Sequence, residues 1–128
     1  MPHPLVTQLR FTRTEWIRGL KAVTAEEAAR RFGPINPIAW MIGHLAWQEQ
    51  LYWLERAQGT TAVPEVKRFG YGKRESSGET PGTKLHRTTY HSWFHLGESQ
   101  AIRQMLGPPK KLPDFVGGFG KAQYQPET

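Results

Sequence analysis

The chain has 128 residues, the length of one domain, and a chain of this size hides roughly two thirds of the surface its unfolded form exposes. It contains no cysteine, which excludes disulfide scaffolds, cysteine nucleophiles, thiolate zinc sites and iron–sulfur ligation and leaves histidine and carboxylate as ligands for a transition metal. Lysine and arginine number 17 against 11 acids, and the resulting net charge of +6 raises the question of a nucleic acid partner.

From Pro4 to Val23, Leu5, Leu9, Thr12, Trp16 and Leu20 recur at spacings of three and four, the stripe of an amphipathic helix. Thr24 followed by Glu27 is a capping-box pattern, so a short second helix is expected over Ala25–Arg31, stopped by Gly33 and Pro34. Asn36 and Pro37 then predict an asparagine cap with proline in the first helical position. The helix they open is expected to run to Ala57, ahead of a terminator at Gly59. It is apolar nearly all round, through Ile38, Trp40, Met41, Ile42, Leu45, Trp47, Leu51 and Trp53, which calls for neighbours on more than one side.

Residues 60–82 are rich in glycine, proline, serine and charge and keep no period, so they are expected to form a long irregular loop. Thr80 and Pro81 open the last strong helix, which runs to Leu106 and is stopped by Gly107, Pro108 and Pro109. The tail, 107–128, is irregular apart from Phe115, Val116 and Phe119, which can staple to the core. The whole chain is expected to be a single helical domain, 1–128. Its longest apolar stretch, Pro37–Trp47, falls far short of the roughly 18 residues of a membrane span. The opening MPHPLVTQLR has no charged segment followed by an apolar one. The expectation is a cytoplasmic protein without a membrane partner.

Three of the five histidines bear on chemistry. His91 and His95 stand four apart on the last helix, so their rings project from one face about one turn apart. His44 lies in the apolar middle of the other long helix. Metal sites in helical proteins are assembled in this way, whereas a lone HxxxH or a lone core histidine is commonly packing alone. Three imidazoles in apolar context are costly to bury without a shared purpose. Three neutral nitrogens leave open positions on nickel, zinc or iron(II), where water or a thiol can be activated.

The strings INPIAWMIGHLAWQEQLYWL and GTKLHRTTYHSWFHLGESQAIRQMLG, followed by LPDFVG, resemble the DinB-like (YfiT-like) family of metal-dependent proteins. The resemblance covers most of the chain. It implies an all-α, up-down helical bundle, often dimeric, in which one histidine of the second helix and two of the last hold a divalent metal, commonly nickel or zinc. By position these match His44, His91 and His95. Relatives with known activities include thiol-dependent S-transferases and isomerases, which implies a low-molecular-weight thiol as cosubstrate. The departure from the pattern is the interval between His44 and His91, where the irregular loop stands in place of the family's third helix. A symmetric homodimer is expected to supply the missing cover.

Glu98, three residues after His95, is a candidate general base or an acceptor for an imidazole N–H, with a plain ion pair to Arg103 as the alternative. Gln48, one turn past His44, can orient water or a small-molecule substrate, or simply line a groove. Trp40, Trp47, Tyr90 and Phe94 flank the ligands and can line a pocket, although aromatics at this spacing commonly serve as core. His3 and His86 read as surface residues. Lys67, Arg68, Lys73 and Arg74, interleaved with Phe69 and Tyr71, resemble a phosphate grip. Glu65, Glu75 and Glu79 dilute it and no recognition module is readable, so a solvated loop is expected and nucleic acid is not. The function expected is divalent-metal binding with thiol-transferase or hydrolase chemistry. The alternative is a non-catalytic dimeric interaction or metal-binding module.

Overall fold

The computed structural model describes residues 2–70, 78–107, 112 and 119–123. Among them the regular structure is helical and no strand occurs, only an isolated bridge between Phe32 and Ile35. They divide into two compact units, Met1–Val23 with Leu85–Thr128, and Thr24–Lys84. No helix of the described residues is long and apolar enough to cross a membrane.

The first unit holds α1 (Pro4–Gly19) and most of α4 (Pro81–Met105). Pro4 occupies the first turn of α1, where its missing N–H costs nothing, and His3 Nδ1 accepts the Leu5 N–H at 3.2 Å. The predicted stripe is the inner face: Leu9, Thr12 and Trp16 are buried, together with Phe11 and Glu15. The helix ends earlier than Val23 because α4 takes over its last carbonyls. Arg103 donates from Nη2 to Lys21 O at 2.9 Å and from Nη1 to Gly19 O, while the Gln100 amide donates to Gly19 O at 3.3 Å. A buried guanidinium here satisfies groups that a helix end leaves orphaned and meets the negative end of the helix dipole. Ala22, at φ 64°, turns the chain away.

Thr80 caps α4 by accepting the Thr83 N–H at 3.3 Å, and Gly107, with φ 84°, follows its last turn, close to the predicted bounds. The buried face of α4 is unusually polar: Thr88, Ser92, His95, Ser99 and Arg103 alternate with Leu96 and Ile102. Each polar group therefore needs a partner; Ser99 Oγ, for example, donates to Leu96 O at 2.7 Å. Trp16 Nε1–H donates to Ser92 O at 2.9 Å and Phe11 meets Trp93 at 5.9 Å between ring centroids. With Gly19 beside Gln100 and Arg103, these contacts put the C-terminal ends of α1 and α4 at the same end. From the tail, a 3-10 turn at Phe119–Ala122 returns to α1, where the Gln8 amide donates to Ala122 O at 3.4 Å. Phe115 and Val116, the proposed staples, lie outside the described residues.

In the second unit, α2 (Ala25–Ala29) carries the predicted cap, Thr24 Oγ1 accepting the Glu27 N–H at 3.1 Å, but closes two residues before Arg31 because Arg30 is already extended. Gly33, at φ 54°, makes the turn before α3 (Ile38–Gln50). The cap of α3 differs from the Asn36 expectation. Pro37 itself is the capping residue, at φ −61° and ψ 156°, and it offers no side-chain acceptor. Proline's fixed φ suits this extended position as well as the first helical one. Beyond Gln50 the helix does not stay α to Ala57: Leu51–Arg56 form a π-helical turn, and Gly59, at φ 68°, closes it.

The expectation of a wholly irregular segment over 60–82 is also corrected. Pro64–Phe69 form a 3-10 helix laid against α3. The Gln50 amide grips its entrance from both sides, donating to Val63 O at 3.0 Å and accepting the Val63 N–H at 2.7 Å. Lys67 Nζ pairs with Glu55 Oε1 at 3.4 Å. The remainder of the basic run, Tyr71, Lys73 and Arg74 with Glu75, lies outside the described residues.

Candidate metal centre

α4 holds a histidine pair. One helical turn separates His91 from His95, and their Nε2 atoms stand 3.0 Å apart. Two nitrogens bound to one ion at about 2.05 Å stand about 2.9 Å apart at octahedral angles and about 3.3 Å apart at tetrahedral ones, so this spacing suits a shared cation. Glu98 Oε1 lies 2.6 Å from His95 Nδ1. A carboxylate accepts, so the Nδ1 proton of His95 is held there and the lone pair falls on Nε2, the atom that faces His91. Arg103, the other partner considered for Glu98, spends its donors on Gly19 and Lys21.

α3 offers His44 in an aromatic setting. Its ring stacks on Trp40 at 4.5 Å and 11° and on Trp47 at 5.4 Å and 26°. Its Nδ1 lies 2.8 Å from the carbonyl oxygen of Phe69, which can only accept. His44 is thus the same tautomer as His95, with its lone pair on Nε2. A metal-binding imidazole whose other nitrogen donates to a carboxylate or a carbonyl is the usual arrangement around divalent ions. Taken each in its own unit, the His91–His95 pair and His44 thus offer ring nitrogens of the kind such an ion takes.

The other residues named from the sequence are placed as follows. Gln48, one turn past His44, is 1 % exposed, and Trp40 is half-buried. Tyr90 is 65 % exposed and stacks on His86 at 5.6 Å, and Phe94, 63 % exposed, sets its ring edge to face with His95 at 5.1 Å. His3 and His86 are exposed. Sequence reasoning missed Phe69, whose contribution is a main-chain oxygen, and Gln50, which anchors the segment that presents it. Two signals were available: a glycine at position 43 inside a helix, next to a candidate ligand, and the spacing of three between Val66 and Phe69 behind Pro64.

No curated protein and no solved structure matches the chain. A family model described as the DinB superfamily matches residues 8–80, from α1 through His44 and the 3-10 helix to the threshold of α4. With a helical fold, a histidine in the matched α3 and a histidine pair in α4, the chain belongs to the DinB superfamily.

Proposed function

We propose that this protein binds one divalent cation, nickel or zinc, through His44, His91 and His95 and uses it in thiol-transfer or hydrolytic chemistry on a small molecule. The observation that carries the reading is tautomer control: His44 and His95 each hold their Nδ1 proton against an acceptor, which leaves Nε2 as the lone-pair nitrogen. When bound, such an ion acts as a Lewis acid, lowering the pKa of a water toward about 7 or holding a thiol as thiolate. The chain's own residues do the rest. Glu98 and Phe69 O hold the Nδ1 side of the two imidazoles, the Trp40 indole covers one face of His44, and Gln48, buried one turn past His44, is the polar group proposed for water or substrate. Tyr90 offers an exposed ring to the substrate side. In this reading Glu98 acts on the chemistry through His95, whose Nδ1 proton it accepts. The working unit of this proposal is a homodimer, with Ile42 of α3 and Tyr90 and Phe94 of α4 as exposed apolar groups.

Elemental analysis of the purified protein tests the metal. Close to one nickel or zinc per chain is expected, with loss of the ion in His44→Ala, His91→Ala and His95→Ala; full occupancy in all three variants would end the reading. Cobalt substitution tests the chemistry. A ligand-field spectrum that changes on adding a thiol supports catalysis, and one that never responds to thiols or esters leaves a metal-binding module.

A further inference from the structure

The second unit contains a device for presenting His44, built from residues outside the proposed ligand set. We infer that the 3-10 segment Pro64–Phe69 is a positioning clamp, whose carbonyl at Phe69 fixes the tautomer and ring orientation of His44 and so sets the cation affinity. The inference rests on the proposed metal site and deepens it by naming what tunes it. Two features of α3 and one of the segment itself fit them together. Gly43, the residue before the histidine, leaves the gap that the Phe69 ring fills: a Cβ there would stand 2.5 Å from Phe69 Cδ2 and 2.6 Å from Cγ. Such contacts are closer than carbon atoms tolerate, so any side chain at 43 pushes Phe69 away.

Gly70 repeats the arrangement on the other side. A Cβ on it would stand 3.0 Å from Cε2 and Nε1 of Trp47, the indole that also flanks His44. Gln50 is the third feature. Its buried amide uses both its carbonyl and its NH2 on the main chain of Val63, just before the segment begins. An amide bonded in both senses to one residue fixes position and register, which a salt bridge such as Lys67–Glu55 at the exposed edge does not. The clamped carbonyl then meets His44 Nδ1 at 2.8 Å. A main-chain oxygen cannot rotate away as a carboxylate can. The proton at Nδ1 is therefore held as long as the clamp is closed.

The test uses the full chain, uniformly nitrogen-15 labelled, with Gly43→Ala, Gln50→Ala and the near-isosteric Gln50→Glu, which still accepts from Val63 N–H but cannot donate to Val63 O. In metal-free protein, long-range proton–nitrogen correlation spectra of the histidine rings read the tautomer directly. His44 is expected as the Nδ1–H form in the parent chain and as a mixture in Gly43→Ala and Gln50→Ala, with Gln50→Glu between. Competition titration with zinc against a chromophoric chelator is expected to show about 10- to 100-fold weaker binding in the first two variants. His44→Ala serves as the reference for loss of the ligand itself. A parent-chain His44 in the Nε2–H form, or variants that keep both tautomer and affinity, would overturn the clamp. Failure of the parent chain to bind zinc at all, with the tautomer shift still present, would overturn the metal reading and leave the clamp standing as a device for orienting His44. Gln50→Glu keeps the test decisive if an alanine variant fails to fold, since far-UV circular dichroism then separates unfolding from unclamping.

Discussion

A carboxylate 2.6 Å from an imidazole nitrogen holds the proton there and so decides that the opposite nitrogen carries the lone pair. Glu98→Gln keeps the size and can still accept, yet lacks the charge. Zinc affinity measured by chelator competition is expected to fall about 10- to 100-fold, the range for lost outer partners of metal ligands. The metal-free unfolding midpoint is expected to hold nearly still, because the Glu98 side chain is a third exposed. An unchanged affinity would reduce Glu98 to a solvated charge. This residue could be singled out from sequence because a spacing of three on a helix places it beside His95. Phe69 could not: its part in the site is played by a carbonyl, which every residue has, and only the folded path of the chain says which carbonyl faces His44.

At the scale of elements, periodicity was a good guide wherever one face of a helix is buried, and α1 gives the sharpest case. Trp16, on the predicted stripe, is 7 % exposed and donates to Ser92 O, while its neighbour Ile17 is 74 % exposed. Trp16→Ala is expected to cost about 3–5 kcal/mol by urea denaturation, and Ile17→Ala to stay within about 0.5 kcal/mol. Equal losses would mean that α1 presents a different face. The bounds of α4 were also legible, because Thr80 and Pro81 at one end and Gly107 at the other are local signals. Two elements were not. The π turn at Leu51–Arg56 shares its apolar composition with the α-helix it continues, and a period of 3.6 does not reveal a single widened turn. The 3-10 helix at Pro64–Phe69 is too short to show a period and gains its stability from tertiary partners, Gln50 and Glu55 of the preceding helical stretch, that composition cannot display.

At the scale of the whole molecule, α4 carries exposed apolar residues whose cover is still to be accounted for. Tyr90 and Phe94 are exposed one turn apart on α4, and the exposed positions that follow on the same face are Gly97 and Ala101. A Cβ on Gly97 would meet nothing within 4 Å. Two large residues followed by two small ones form a pattern that complements itself when reversed. A second copy laid antiparallel across a twofold axis between positions 94 and 97 sets Phe94 opposite Gly97 and Tyr90 opposite Ala101, twice over, as an isologous interface requires. Single exposed apolar residues on a monomer need no explanation, whereas an aromatic pair with matched gaps in register does. Sedimentation equilibrium at micromolar concentration is expected to give twice the chain mass, and Phe94→Glu, which would place two buried charges near the axis, is expected to give the mass of one chain. Gly97→Leu should separate the copies as well, since it fills the gap that the opposing Phe94 needs. A parent chain that sediments as a monomer would overturn the dimer and leave Tyr90 and Phe94 exposed beside the histidine pair, as rings for a substrate alone.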